Sequence, residues 1–290
     1  MPITEEGEVR VIIAMIYDHP RWEEKHMIKL IEELGHEVLH VPLRSSTLEL
    51  SNLKKIADVA IQRAISSVRA ITSTAFFEAS GTPVVNNLNT QIICDNKVLT
   101  DLVLEKHGIP RPKTFVAYSM EEAMKIPEKL GFPLVIKPIQ GSWGRLQALV
   151  SDEEALRGIL EYREAMPSPQ FKVHYMQEYI KKPQRDIRVF VVGDRVPVAI
   201  YRISQNWRTN TALGGRAEKA ELNAELEEIA LKAAKAVGGG VLGVDVVEDP
   251  ERGYLVIEVN SNVDFKNTYR VTGHDLGKDI VEYAIEIAKR

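Results

Sequence analysis

Short apolar runs separated by polar turns mark out the first third of the chain. Val9–Tyr17 is short and rich in Val and Ile, which predicts a buried strand. Met27, Leu30, Ile31 and Leu34 follow at helical spacing, and Gly35 ends that helix. Val38–Val41 and Asp58–Ile61 predict two more strands, the latter followed by a helical stretch to Ser80 and Gly81. Pro83–Val85 predicts a fourth, short strand. Strands alternating with helices over residues 1–90 predict a small parallel α/β sheet.

The pattern changes near Asn96. A helix is expected over Lys97–Lys106, closed by Gly108 and Pro110, then a strand over Lys113–Ala117 and a helix over Met120–Leu130 ended by Gly131. Pro133–Lys137 and Leu146–Val150 flank the glycine-containing stretch Gln140-Gly141-Ser142-Trp143-Gly144-Arg145, which predicts an antiparallel pair. From His174 the chain turns to hairpins. Tyr175–Ile180 is a strand, and Ile187–Val192 and Val196–Tyr201 meet across Gly193-Asp194. After a helix over Ala224–Val237, Val241–Glu248 and Tyr254–Asn260 form a second hairpin, and a last helix ends the chain. The expected architecture is mixed α/β (α+β) in three domains, 1–90, 91–173 and 174–290, with a parallel sheet first and antiparallel sheets later.

Composition narrows the classes. The 290 residues are 44% hydrophobic and 27% charged, enough for a real core in a soluble protein. A net charge of −4 argues against a general nucleic-acid binder. The single cysteine, Cys94, rules out an internal disulfide and fits a reducing cytosol. No basic segment leads into an apolar one near Met1, and Val11–Tyr17 is far short of a membrane span, so a cytoplasmic protein with no membrane partner is expected.

Two motif matches fail on context. His36-Glu37-Val38-Leu39-His40 fits a zinc pattern that requires a helix, but it lies between a helix-ending Gly35 and Pro42 and reads as a strand. Residues four apart on a strand are roughly 13 Å apart, too far to share a metal. Gly238, Gly240 and Gly243 fit a dinucleotide fingerprint in reverse order, with the helix before and the strand after. A loose helix-to-strand connection is the better reading.

Chemistry concentrates elsewhere. Asp245, Glu258 and Asn260 stand among valines and isoleucines on two strands expected to pair, and Glu258 and Asn260, two apart, share a face. Buried carboxylates need a cation, and Mg²⁺ takes such oxygens together with nucleotide phosphates; ordinary solvent-facing alternation is the alternative. Lys137 ends an apolar strand just before the glycine loop, where it can reach phosphate oxygens while backbone N–H groups close over them. A surface lysine on its aliphatic stem is the bland reading there, and for Lys97 as well. Asp186 and Arg188 share one strand face, suited to ribose hydroxyls and to a phosphate oxygen, or simply to an ion pair.

The order of these pieces resembles the ATP-grasp superfamily. Lys97 is followed by Lys137 with Gly141-Ser142-Trp143-Gly144-Arg145, then Gln177-Glu178-Tyr179-Ile180, Asp186-Ile187-Arg188, Asn210 with Gly214-Gly215, Asp245, and Glu258-Val259-Asn260 with Phe265-Lys266-Asn267. Within the superfamily the chain is similar to the RimK-like branch, and there to the carrier-protein ligases of lysine biosynthesis, over essentially its whole length. One departure is Cys94-Asp95-Asn96-Lys97, where relatives usually have Gly-Asp-Lys after the cysteine.

The resemblance implies an ATP-grasp fold and an ADP-forming amide ligase using ATP and Mg²⁺. Lys97, Lys137 and the loop Gly141, Ser142, Trp143, Gly144 hold phosphates; Glu178, Tyr179 and Ile180 face adenine and Asp186 the ribose. Asp245, Glu258 and Asn260 hold Mg²⁺, and Arg188, Arg202 and Asn210 surround the transferred phosphoryl group. Arg63, Ser66 and Arg69, with Lys266 and Asn267, meet the substrates. The expected partners are a small acidic carrier protein ending in glutamate and the amino acid α-aminoadipate, with no nucleic acid, in a homo-oligomeric enzyme. Alternatives are a glutamate-specific or dual-specific sister ligase of arginine or ornithine synthesis, a ligase adding glutamate to another protein, and a non-catalytic ATP-binding scaffold.

Overall fold

The computed structural model of the chain describes residues 9–141, 144–209 and 214–290. The first part runs β1 (Ile12–Tyr17), α1 (Trp22–Glu33), β2 (Glu37–Pro42), β3 (Val59–Gln62), α2 (Ser67–Ala79) and β4 (Val84–Val85). Its strands form a parallel sheet in the order β2-β1-β3-β4. β1 and β3 are buried along almost their whole length, which is why their sequences run apolar without alternating. Glu37-Val38-Leu39-His40 does lie along β2, with His36 just before it. His36 Nδ1 accepts from the Val11 N–H at 3.3 Å, and His40 Nδ1 meets the Tyr17 hydroxyl at 3.2 Å, so the two imidazoles serve different neighbours.

Two helices follow, α3 (Leu88–Asp95) and α4 (Lys97–Lys106). The Asn96 side chain accepts from the Val98 N–H at 3.0 Å and so caps α4, which starts at Lys97 without the usual glycine. The next stretch holds β5 (Thr114–Ala117), α5 (Met120–Ala123), α6 (Pro127–Leu130), β6 (Leu134–Lys137), β7 (Ala148–Val150), α7 (Glu153–Ala165) and β8 (His174–Glu178). The helix expected over 120–130 is two short ones. Pro127 opens the second, because a proline has no N–H to continue the first and fits only the first turn.

β6 and β7 pair antiparallel, with Leu134 opposite Val150, as the glycine turn predicts. The sheet order is β5-β8-β6-β7. The strand beginning at His174 thus closes this second sheet; the sequence reading put it in the C-terminal domain. Its apolar residues match the first core it meets, and nothing in their pattern names the partner strand.

The third sheet begins with β9 (Arg185–Val192), followed by β10 (Arg195–Ile203), β11 (Arg216–Lys219), α8 (Ala224–Ala236), β12 (Val241–Asp249), β13 (Gly253–Asn260), α9 (Lys266–Thr272) and α10 (Leu276–Ala288). Its order is β11-β10-β9-β12-β13, all antiparallel, and both predicted hairpins are present. One apolar core joins the first and third parts: Ile13, Met15 and Met27 pack with Phe190, Val192, Phe265 and Ile280. The second sheet has its own core around Leu134, Ile136, Leu156, Leu160 and Met176.

The seam between the first and third parts explains the glycines before β12. Asn86 Nδ2 donates to the Val241 carbonyl at 2.7 Å and the Ser261 carbonyl at 2.8 Å, and its Oδ1 accepts from the Val241 N–H at 2.6 Å. A Cβ on Gly240 would fall 2.1 Å from that oxygen, at a φ of +108° that side chains rarely adopt. The run serves close backbone approach between the two parts. Among the described residues no helix is long and apolar enough to cross a membrane.

Candidate active site

The register of three strands builds the centre. β12 lies between β9 and β13, so Asp245 stands opposite Arg188 on one side and Glu258 on the other. Arg188 clasps Asp245 with both arms, Nε to Oδ1 at 2.7 Å and Nη2 to Oδ2 at 2.8 Å. Arg202, opposite Asp186 on β10, clasps Asp186 in the same way at 2.6 and 2.9 Å, and its Nη2 also reaches Asp245 Oδ2 at 2.9 Å. Burial alone would push the Asp245 carboxyl up, but Arg188 and Arg202 outweigh it and hold it below its ordinary value. Burial opposes the charge of Arg202 too, and the two carboxylates overcome it. The centre is therefore charged and held by mutual pairing.

Two lysines face it. Lys97 sits 3.3 Å from Glu258 Oε1 and donates to the Gly141 carbonyl at 3.0 Å. Lys137, 8% exposed, donates to Gln177 Oε1 at 2.6 Å. Gln177 is itself fixed by the Tyr175 hydroxyl at 3.0 Å, which donates to Asp101 at 2.8 Å. Burial pushes the Lys137 ammonium down to about 8, with Glu258 opposing and Lys97 adding. An ammonium buried beside a second lysine, hydrogen-bonded among the described residues to a neutral amide, suits an anion.

The centre lies between two cavities. A narrow one of about 80 Å³ is lined by Val135, Ile180, Val247 and Ile257, and by Lys137, Glu178, Tyr179, Asp186 and Glu258. Apolar walls leading to cations suit a flat heterocycle with phosphates. A wider one, about 500 Å³, is lined by Arg188, Arg202, Glu258, Asn260, Arg21, Asp264, Lys266 and Asn267. Arg188 lines only the wide cavity, Lys137 only the narrow one, and Arg202 and Glu258 line both.

Comparison with known proteins fits this geometry. Residues 94–284 match the RimK-like ATP-grasp domain, and residues 13–93 match the LysX preATP-grasp domain. The chain belongs to the RimK-like ATP-grasp family. It is 44% identical to the alpha-aminoadipate–LysW ligase LysX of Sulfurisphaera tokodaii, over 97% of this chain and all of that one. It is 37% identical to the glutamate–LysW ligase ArgX of Sulfolobus acidocaldarius, over 93% of this chain and 97% of that one. In fold it resembles the RimK domain ATP-grasp protein of Sphaerobacter thermophilus, with a TM-score of 0.77 at 23% identity, covering 94% of this chain and 99% of that one. The D-alanine–D-alanine ligase of Bacillus anthracis complexed with ATP has a TM-score of 0.73 at 21% identity, covering 96% of this chain and 97% of that one.

In this RimK-like chain the predicted residues Lys97, Lys137, Arg188, Arg202, Asp245, Glu258 and Asn260 meet around one centre. Glu258 and Asn260 offer hard oxygen donors of the kind Mg²⁺ takes together with phosphates, while both oxygens of the adjacent Asp245 are engaged by Arg188 and Arg202. Asn260 Nδ2 leans on the Gly243 carbonyl at 3.4 Å, which turns its oxygen the other way. Ser142, Trp143 and Asn210 lie outside the described residues.

Asp186 lines the narrow cavity, and its oxygens accept from Arg202 and from the Thr209 hydroxyl, so this carboxylate holds Arg202 in place. Arg63, expected to meet the substrates, is 4% exposed. Its Nε is 2.9 Å from Glu24 Oε1, and its Nη1 is 2.9 Å from the Val263 carbonyl. Arg69 is half exposed and pairs with Asp18 at 2.6 Å, and Ser66 caps α2. The Glu178 carboxylate ties the Lys113 N–H at 2.6 Å to Arg252 at 2.7 Å.

Sequence reasoning quoted Gln177 within its motif without giving it a role and missed Thr209, and these two hold Lys137 and Asp186. It missed Arg21 and Glu24 as well. Only the alternation of β8, which puts Gln177 on the Lys137 side, carried any signal for them.

Proposed function

We propose that this chain is an ATP-dependent ligase joining the amine of α-aminoadipate to the side-chain carboxylate of a glutamate that ends a small acidic carrier protein, in lysine biosynthesis in the cytoplasm. The observation that supports the reading is the shared wall: Arg202 and Glu258 face both the narrow cavity and the wide one. The relationship to LysX supports the choice of substrates.

A carboxylate is a poor electrophile, since oxide would have to leave. Transfer of the γ-phosphoryl group to a carboxylate oxygen gives an acyl-phosphate and ADP. The amine nitrogen then attacks the carbonyl carbon, phosphate departs with the C–O bond pair, and the nitrogen loses a proton. Negative charge peaks on the moving phosphoryl group and again on the tetrahedral oxygen. Lys97 and Lys137 hold phosphate oxygens from the nucleotide side. Arg188 and Arg202, with Asn210, meet the acyl-phosphate from the other. Asp245, Glu258 and Asn260 would hold Mg²⁺, which would supply charge neutralisation of the phosphate oxygens. Glu178, Tyr179 and Ile180 present backbone edges and apolar surface to the adenine.

Asn267 and Lys266, at the start of α9, line the wide cavity, where the amino acid's carboxylates would lie. The difference of one methylene between α-aminoadipate and glutamate is worth only about 1–3 kcal/mol in a pocket, so a placed polar group has to make the choice. The 37% identity to ArgX keeps glutamate as the second reading.

The test is nucleotide analysis of mixtures with Mg²⁺, a carrier ending in glutamate, and a panel of amino acids. ADP and phosphate should appear only with all components, fastest with α-aminoadipate. AMP would overturn the acyl-phosphate route, and preference for glutamate would move the chain to the sister activity. Changing Asn267-Thr268 to Gly-Phe should shift the kcat/KM ratio toward glutamate by about ten-fold, roughly 1.4 kcal/mol.

A further inference from the structure

Beside the wide cavity stands a second cationic group that the catalytic scheme does not use. Glu24, fully buried at 0% exposure, accepts from Arg21 Nε at 3.1 Å, Arg21 Nη2 at 2.8 Å and Arg63 Nε at 2.9 Å. One carboxylate thus holds two guanidiniums side by side. Asp264, on the segment between β13 and α9, meets the pair through a single contact, its Oδ1 to Arg21 Nη1 at 2.7 Å. Asp264 is 46% exposed, and Arg63 Nη2 lies 3.9 Å from the same oxygen, too far for a hydrogen bond. That buried Nη2 has no hydrogen-bond partner among the described residues. Glu23 accepts from the Lys266 N–H at 3.2 Å and lines the same cavity, adding negative charge beside Arg21. Arg21, Asp264 and Lys266 all line the cavity.

A buried guanidinium N–H without an acceptor is costly, and native proteins rarely keep one without a use. Asp264 is tethered to the backbone and reaches only one of the two donors. A free carboxylate can take Arg21 Nη1 and Arg63 Nη2 together, as guanidinium pairs commonly do. We propose that Arg21 and Arg63 form a carboxylate subsite of the wide cavity, filled by Asp264 until a ligand carboxylate displaces it. The inference rests on the ligase reading, which brings two carboxylate sources to this cavity: the amino acid, and the free α-carboxylate of the carrier's terminal glutamate.

The test is steady-state kinetics of Arg21→Gln and Asp264→Asn with both substrates varied. Arg21→Gln should raise one KM by about ten-fold or more, the effect of losing a charge-assisted hydrogen bond. Asp264→Asn removes the internal competitor at an exposed position and should lower the same KM by about three-fold, in keeping with an exposed ion pair. Movement of the amino-acid KM assigns the subsite to the amino acid, and movement of the carrier KM assigns it to the carrier's terminus. If Asp264→Asn leaves both KM values unchanged or raises them, Asp264 is a permanent structural partner and the subsite is refuted, even if Arg21→Gln fails to fold. Wild-type enzyme with carrier, ATP and hydroxylamine in place of the amino acid tests the ligase reading separately. Absence of ADP there sinks that reading, whereas ADP release with unmoved KM values sinks only the subsite.

Discussion

At the scale of single residues, burial sets the state of Lys137. Its ammonium titrates near 8 in the free protein, against 10.5 ordinarily, because water is excluded from it. Between those values the unfolded chain holds a proton that the folded one has released, so stability from this group rises with pH across that window; below about 8 the cost of the buried charge is present in full. ATP needs the charged form. Above about pH 8 binding must take up a proton, and the apparent Kd should rise by about ten-fold per pH unit. Nucleotide titrations on either side of pH 8 check this, and Lys137→Ala should flatten the profile while lowering turnover by roughly a hundred-fold. A full-strength, pH-independent Kd would place Lys137 outside the phosphate site. This residue was legible because a lysine closing the apolar strand Leu134–Lys137 is costly without a use. The clasp of Asp186 by Arg202 was not legible, because it depends on register across β9 and β10, which neither strand encodes alone.

At the scale of elements, turns spoke more clearly than partners. Gly193-Asp194 and the 249–253 turn predicted both hairpins of the third sheet, because a two-residue or short glycine turn leaves the chain little else to do. β8 was readable as a strand, but its place between β5 and β6 was not, since those strands lie far apart in sequence. The glycines before β12 invite a direct measurement. Gly240→Ala puts a methyl group against Asn86 Oδ1 at a strained φ, and should cost about 2–4 kcal/mol with a clear fall in Tm. Gly239→Ala, with φ +73° and open space around it, carries the backbone term alone and should cost about 1–2 kcal/mol. Equal losses in thermal melts would remove the Asn86 seam from the explanation.

At the scale of the whole molecule, the second sheet is set apart. Its core shares no residue with the core that fuses the first and third parts, and a clasp of Arg252 on Glu178 spans the gap beside the nucleotide cavity. Arg252→Ala should loosen that approach and raise the KM for ATP by about three- to ten-fold, the range of one exposed charge-assisted bond. Hydrogen exchange should quicken at 174–178 and 249–253 and leave β1 and β3 unchanged; a uniform change would mean general destabilisation.

The fused core has a consequence for how the chain is made. Ile13, Met15 and Met27, near its beginning, pack on Ile280, Val281 and Ala284 of the last helix. On the ribosome the first sheet must wait for α10, the final element to emerge, before its apolar face is covered, while the self-contained second sheet can complete itself midway through synthesis. Early elements therefore spend nearly the whole of translation half-finished, and a nascent chain stalled before residue 276 would be a client for chaperones.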